Sequence, residues 1–194
     1  MEEKQLISWE NREFVDKDTV LFYYEQANKQ LEGILSVGEA TKERGYQLLS
    51  IIIAILTGAS WVLHNQAENI SWLLASFIGI GICIFVAFLL IKEVIGVHTS
   101  WQPGKRPSEF DIDTFLNYYR KIKVPSDKIL IHIVSDQLEA IETKIALNLE
   151  IVNKRARFYE YCLKTCTIGM FFVVLILIST PLFTALVELF HLLF

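Results

Sequence analysis

The stretch NKRARFYEYCLKTCTIGMFFVVLILIST, residues 153–180, changes from basic to apolar halfway along its length. Lys154, Arg155, Arg157 and Lys164 lie close together, and no Lys or Arg follows Lys164. The apolar half continues long enough to cross the ~30 Å hydrocarbon layer of a bilayer as an α-helix. The stretch therefore predicts a helix that leaves a charged surface and enters a membrane.

Three uncharged runs of this kind occur along the chain. They are YQLLSIIIAILTGASWVL (46–63), SWLLASFIGIGICIFVAFLLI (71–91) and the run of the opening stretch (165–187). In lipid a helix satisfies its own backbone hydrogen bonds, so each run is predicted to be a transmembrane helix. The alternative is three buried core helices of a soluble protein. With 53% hydrophobic and 21% charged residues, too little polar chain would remain to cover them.

The basic residues give these spans an orientation. All 18 Lys and Arg residues lie in segments 1–45 and 92–164, and the link HNQAEN (64–69) has none. Because cytoplasmic flanks of spans collect Lys and Arg, the N-terminus is predicted inside and the C-terminus outside. Trp61 and Trp72 flank the outer link, where indole rings favour the interface. The predicted fold is an all-α membrane protein with three transmembrane helices and a cytoplasmic helical bundle.

The cytoplasmic N-terminal arm, residues 1–45, has the pattern of an amphipathic helix. Asp18 or Thr19 can cap its start. Its apolar positions recur at spacings of three and four: Leu21, Tyr24, Ala27, Leu31, Ile34 and Leu35. The arm is predicted to run almost continuously into the first span, with Gly33, Gly38 and Gly45 as points where it can bend.

The cytoplasmic segment 92–164 contains two predicted helices. DIDTFLNYYRKIKV forms a short one that Pro125 ends. The chain from 126 to 164 has no Gly or Pro and predicts a long helix that feeds the third span; a short strand near its start would have no partner. Its apolar stripe follows heptad-like spacing: Leu138, Ile141, Ile145, Leu149, Val152, Ala156 and Tyr159.

The long helix carries a second apolar face at Leu147, Ile151 and Phe158. A helix that is apolar on two faces needs more partners than one chain offers. This pattern favours a homo-oligomer, and a soluble partner protein is the competing explanation.

The spans also contain small and hydroxyl-bearing residues. Ala54 to Gly58 and Ala75 to Gly79 match small-xxx-small patterns that let helices approach closely. Five hydroxyls within the spans are candidate pore-lining residues: Thr57, Ser60, Ser179, Thr180 and Thr184. Alternatively, such hydroxyls bond back to carbonyls of their own helix.

The sequence contains no catalytic signature. A nucleophile elbow, a P-loop and an H-E-x-x-H helix are all absent from the 194 residues. No group of His, Cys, Asp and Glu has zinc-ligand spacing. We therefore expect no enzyme activity, no metal site and no cofactor.

Two short stretches combine cations with aromatic residues, YYRKIK (118–123) and NKRARFYEY (153–161). This combination suits phosphate binding with base stacking, and it equally suits anchoring to anionic membrane lipids. The candidate ligand-binding residues are Arg120, Lys121, Lys123, Lys154, Arg155 and Arg157. Acidic residues balance the cations on the same side, so a general nucleic-acid surface is excluded.

The order of arm, span, tight turn, span, cytoplasmic segment, long helix and span resembles a known class. EATKERGYQLLSIIIAILTG (39–58) and DQLEAIETKIALNLEIVNKRARFYEYCLK (136–164) are similar to the Pycsar-type transmembrane effector and its SLATT-like relatives in bacterial anti-phage signalling systems. The resemblance implies a multi-pass protein of the bacterial inner (plasma) membrane that assembles on a signal and permeabilises the membrane. It also implies a nucleotide or oligonucleotide ligand made by a partner enzyme. This chain has no recognisable appended cyclic-nucleotide domain.

Two functional hypotheses follow from these patterns. The first is a homo-oligomeric gated pore or membrane-permeabilising effector that its cytoplasmic helices control. The second is a non-enzymatic membrane anchor or scaffold that recruits a soluble partner. A regulatory subunit of another membrane complex is a third option.

Overall fold

In the computed structural model, residues 7, 10–65, 69–96 and 112–193 are described. Over these residues the chain is all-helical and contains no strand, which confirms the all-α part of the predicted fold. The helices are α1 (Lys17–Asn65), α2 (Ile70–Leu89), α3 (Ile112–Lys121) and α4 (Ile129–Leu193), with a 3-10 turn at Asn11–Glu13 and a π-helical segment at Leu90–Ile95. The chain divides into two compact units, called here the first unit (1–38 and 98–152) and the second unit (39–97 and 153–194).

Three of these helices are long and apolar enough to cross a membrane: α1, α2 with its π-helical extension, and α4. In the most apolar stretch of each helix only 11%, 33% and 17% of the residues are buried. Most of the apolar side chains therefore face outward from the single chain, as expected for helices solvated by lipid or by further helices.

Helix α1 begins with a side-chain cap. The Thr19 backbone N–H donates to Asp16 Oδ1 at 2.7 Å, and the Thr19 hydroxyl donates to Asp16 Oδ2 at 2.8 Å. The cap is therefore Asp16, and the prediction of Asp18 or Thr19 is wrong by two or three positions. From this cap α1 continues through its glycines to Asn65, which confirms that the arm runs into the first span.

The core of the first unit forms where the early part of α1 packs on the early part of α4. Val20 of α1 is buried with Ile131 and Val134 of α4. About three turns further along, Leu31 is buried with Ile141 and Ile145. Each helix contributes one apolar stripe, and both stripes are removed from water.

The buried stripe of α4 differs from the prediction at two positions. Leu149 is 45% exposed and Ala156 is exposed, whereas Asn148 and Arg155 are buried in their place. From 138 to 155 the buried positions alternate in steps of three and four residues: 138, 141, 145, 148, 152 and 155. Nearer its start α4 buries a broader face, which includes 129, 131, 132, 134 and 135. The prediction placed apolar residues in the stripe. The geometry of the helix determines which positions are buried, whether the residue there is apolar or polar.

The core of the second unit joins α1, α2 and α4. Its buried members are Leu48, Ile52, Cys83, Val86, Leu90, Val94, Cys162 and Cys166. Helix α4 packs tightly on α2 at Gly169, where an added Cβ would lie 2.8 Å from Cδ1 and Cγ2 of Ile82. Ala75 and Gly79 are buried in this packing, whereas an added Cβ at Gly58 would meet nothing within 4 Å. The second small-xxx-small pattern is thus used within the chain and the first one is not.

Candidate functional site

The first unit contains a charged cluster around a buried arginine. Arg12, from the 3-10 turn, has 3% of its side chain exposed. Its Nη1 donates to Asp136 Oδ1 at 2.7 Å, and its Nη2 donates to Glu139 Oε1 at 3.1 Å. Its Nε also donates to the Ile7 carbonyl at 3.2 Å. Because Asp136 and Glu139 lie one turn apart on α4, they present two carboxylates to one guanidinium.

Tyr119 connects α3 to the same cluster. Its ring is 1% exposed, and its hydroxyl donates to Asp136 Oδ2. Burial, and then the hydrogen bond to Asp136, raise the pKa of the Tyr119 phenol well above its ordinary value. The buried His132 ring lies beside it with a centroid distance of 5.6 Å. Asp136 therefore accepts hydrogen bonds from the N-terminal turn and from α3 at once.

Sequence reasoning assigned no role to Arg12 or Asp136, and it considered Tyr119 only as part of the stretch YYRKIK (118–123). The only local signal was a pair of carboxylates with i,i+3 spacing, which is common on exposed helix faces. The arginine partner lies more than a hundred positions away in the chain, so only the fold brings these groups together.

Three predicted ligand-binding residues lie at the C-terminal end of α3. Arg120, Lys121 and Lys123 are all exposed. Among the described residues, no carboxylate lies within ion-pair distance of any of them. Their charges are thus available to an outside anion.

The other three predicted ligand-binding residues lie on α4 in the second unit. Lys154 Nζ lies 3.0 Å from Glu93 Oε2 and 5.7 Å from the centroid of the Phe158 ring. Arg155 is 7% exposed, and its Nη2 donates to the Gly96 carbonyl at 3.3 Å. Arg157 is exposed, and it takes part in none of the ion pairs found among the described residues. Lys154 and Arg155 therefore have contacts within the chain that hold the end of the π-helical segment against α4.

The predicted pore-lining hydroxyls bond back to their own helices. Thr57 donates to the Ile53 carbonyl at 2.9 Å, and Ser60 donates to the Leu56 carbonyl at 2.8 Å. Both Ser179 and Thr180 donate to the Ile176 carbonyl, at 3.3 and 2.5 Å. The side chain of Thr184 lies outside the described residues. These bonds confirm the alternative that the hydroxyls satisfy their donors locally, although each oxygen keeps acceptor capacity.

Within the described ranges, no group of three His, Cys, Asp or Glu side chains is arranged to hold a metal ion. Cys83, Cys162 and Cys166 are free and buried in the second-unit core.

No known family model matches the chain, and no solved structure matches it. The case for its function therefore rests on the residues and geometry of this chain.

Proposed function

We propose that this protein is a non-enzymatic, homo-oligomeric membrane effector of a bacterial antiviral defence system. It is a multi-pass protein of the inner (plasma) membrane, with its N-terminus and first unit in the cytoplasm and its C-terminus outside. On a signal from the cytoplasm it forms or opens a path for ions. The three apolar helices and the distribution of Lys and Arg support the membrane and orientation parts of the proposal.

The outward face of α1 is the observation that supports a pore. Within its apolar stretch the exposed positions include five small or hydroxyl-bearing residues, Ser50, Ala54, Thr57, Gly58 and Ser60, as well as the large residues Tyr46, Ile51, Ile53 and Trp61. Large apolar residues predominate among the exposed positions of α2 and α4: Phe77, Ile84, Phe85, Phe88, Phe171, Phe172 and Ile178. Large apolar side chains suit lipid, whereas small and hydroxyl-bearing ones suit close helix contacts or a wet path. We therefore assign α1 to the contacts between copies and to the lining of the path.

The continuity of two helices supports control from the cytoplasm. Helices α1 and α4 each supply residues to both units without a break in the helix. A ligand that favours one packing of the first unit would shift the populations of the spans through these helices. The signal we propose is a nucleotide or oligonucleotide that a partner enzyme makes, with the exposed Arg157 among its candidate contacts.

An ion-flux assay tests this function. The full chain is reconstituted into liposomes loaded with a fluorescent ion indicator, and cyclic mononucleotides and cyclic dinucleotides are added in turn. The proposal expects ion release with at least one of them, and a loss of most of the flux in the Thr57→Leu/Ser60→Leu variant. The matched control is Phe171→Leu/Phe172→Leu on the outward face of α4, which should leave the flux unchanged. Vesicles that stay tight under every condition would contradict the pore.

A second candidate function is a membrane scaffold, and exposed aromatic residues of the first unit favour it. Phe14 is 87% exposed, and Phe22 and Tyr23 are 56% and 55% exposed. Exposed aromatic groups are frequent anchors of protein–protein interfaces. Two results together would support the scaffold over the pore. The liposomes would stay tight, and a soluble partner would co-purify with the native protein but not with the Phe22→Ser variant.

A further inference from the structure

Arg155 is a buried cation whose charge is not balanced within the described part of the chain. The residue is 7% exposed, and its Nη2 donates to the Gly96 carbonyl at 3.3 Å. Its Nε is buried and makes no hydrogen bond, and no carboxylate among the described residues lies within ion-pair distance of it. Because a guanidinium keeps its proton in proteins, deprotonation cannot relieve this burial. A buried charge of this kind requires a partner of opposite charge.

Two further cations lie in the same part of the second unit. Glu93 Oε1 lies 3.7 Å from Lys92 Nζ, and Glu93 Oε2 lies 3.0 Å from Lys154 Nζ. Arg155 is the next residue along α4, so all three cations lie around the π-helical segment. The single carboxylate is shared by the two lysines, and the guanidinium has only the Gly96 carbonyl. The local charge is therefore positive and favours the binding of an anion.

These cations lie at the end of a candidate span. Ile91 is the last residue of the second uncharged run, Lys92 follows it directly, and Gly96 ends the π-helical segment. The cations belong to the second unit, which also contains the apolar stretches of the three helices able to cross a membrane. An anion at this position can therefore come from the headgroup layer of a bilayer or from solution.

We propose that Arg155, Lys92 and Lys154 form a binding site for a phosphate group, which belongs either to an anionic lipid headgroup or to a soluble nucleotide. The N–H fork of a guanidinium matches two phosphate oxygens, and the ammonium groups add flexible donors. The side chains of Lys92 and Lys154 are 64% and 56% exposed, so they form the accessible rim of the site, with Arg155 as its buried donor. Phosphate binding does not require ion conduction, so this proposal and the pore fail independently.

The competing explanation is that Arg155 serves the fold alone. Its bond to Gly96 caps the C-terminal end of the π-helical segment, where the partial negative charge of the backbone favours a cation. Arg155→Gln separates the two explanations, because glutamine can still donate to a carbonyl but carries no charge. A phosphate site predicts that this variant, without ligand, is at least as stable as the native protein, since an unpaired buried charge is removed. A cap alone predicts a less stable variant and no effect of phosphate on either protein.

The test measures stabilisation of the full chain by added ligand in phosphate-free detergent solution. Endogenous lipid is first washed out, and its removal is checked by native mass spectrometry. The probes are dioctanoyl phosphatidylglycerol, AMP and cyclic di-AMP, and the matched compounds without phosphate are dioctanoylglycerol and adenosine. The proposal expects a higher thermal unfolding midpoint with the lipid, with a nucleotide or with both, and no change with the matched compounds. A response to the lipid alone identifies a headgroup as the source of the phosphate, and a response to a nucleotide alone identifies a soluble ligand.

Variants complete the test. Arg155→Gln should lower the affinity for the stabilising probe by about ten- to hundredfold, as expected for the loss of charge-assisted hydrogen bonds. Lys92→Gln/Lys154→Gln, which leaves the buried arginine in place, should lower it by about twenty- to thirtyfold. The control Arg44→Gln removes an exposed arginine elsewhere in the second unit and should leave the affinity unchanged.

Three results would overturn the proposal: no stabilisation by any phosphate probe, native affinity in Arg155→Gln, or an equal loss of affinity in Arg44→Gln. If Arg155→Gln does not fold, native affinity in the double lysine variant overturns the proposal instead.

Discussion

Asp136 is the residue on which the first unit depends most. One of its oxygens accepts from Arg12 and the other accepts from Tyr119. These two donors come from the N-terminal turn and from α3, both of which are short. Charge-assisted hydrogen bonds of this kind are about twice as strong as neutral ones, so they fix short segments that burial alone would hold weakly.

Replacing Arg12 tests this cluster. Arg12→Gln leaves Asp136 and Glu139 without their cation, and we expect the N-terminal turn to lose about 1–3 kcal/mol of local stability. This range is below the cost of breaking a fully buried pair because both carboxylates are partly exposed. Hydrogen exchange at residues 11–15 should accelerate. The exposed Arg157→Gln makes the same charge change and should leave these amides unaffected; equal effects of the two variants would contradict the cluster.

Asp16 predicts a pH dependence at the start of α1. Hydrogen bonds from Thr19, first from its backbone N–H and then from its hydroxyl, lower the pKa of Asp16 below its ordinary value of 3.8. A lowered folded-state pKa means that the cap stabilises the helix fully above pH 3.8 and is lost as the pH falls through the folded value. Amides of the first turn should therefore lose protection as the pH falls below 3.8 and through the lowered pKa of Asp16.

Asp16→Asn provides the control for this prediction. Asparagine is also a good cap but has no charge to titrate. The protection factors of these amides, which are corrected for intrinsic exchange, should therefore not change with pH in this variant. If native protein and variant lose protection in parallel, the carboxylate is not the cause.

At the scale of the elements, α4 shows what the sequence predicts and where prediction fails. The absence of Gly and Pro from 126 to 164 predicted a continuous helix, and the helix is observed. The register was wrong because Leu149 and Ala156 look like core residues while Asn148 and Arg155 do not. Burial of a polar side chain depends on partners from distant segments, such as the Gly96 carbonyl for Arg155, and no local pattern contains them.

Sequence patterns also did not predict the π-helical segment at Leu90–Ile95. Its apolar residues have the same types as those of the α-helix before it, and the charged Lys92 and Glu93 give no signal of the wider turn. The segment places Leu90 and Val94 in the second-unit core and Glu93 beside Lys154. It thus ends the second candidate span with Leu90 and Val94 buried and with its carboxylate paired.

The crossing of α2 and α4 supports a prediction at the same scale. In Gly169→Ala the new methyl group would lie 2.8 Å from Ile82, whose β-branched side chain has little freedom to move in a helix. We expect a loss of about 1–3 kcal/mol from overpacking, measured as a lower thermal unfolding midpoint in detergent. Gly81→Ala on α2 meets nothing within 4 Å and should be neutral or slightly stabilising. A lower thermal unfolding midpoint for Gly81→Ala than for Gly169→Ala would contradict the observed packing.

For the whole molecule, hydropathy predicted more than side-chain patterns did. The three uncharged runs correspond to helices able to cross a membrane, because length and polarity alone determine that property. The Arg12 cluster and the unused small-xxx-small pattern of α1 required the fold, since each depends on which helices are neighbours. Orientation, assembly and conduction remain proposals that experiments on the whole chain address.

The most direct test is the location of the C-terminus. A chain that crosses the bilayer three times, with its basic segments inside, must place Phe194 on the outer side. Alkaline phosphatase, active only outside the cytoplasm, and green fluorescent protein, fluorescent only within it, are each fused after Phe194 and expressed in bacteria. We expect active phosphatase and no fluorescence. A fluorescent fusion with inactive phosphatase would contradict the three-span layout and the mechanism proposed on it.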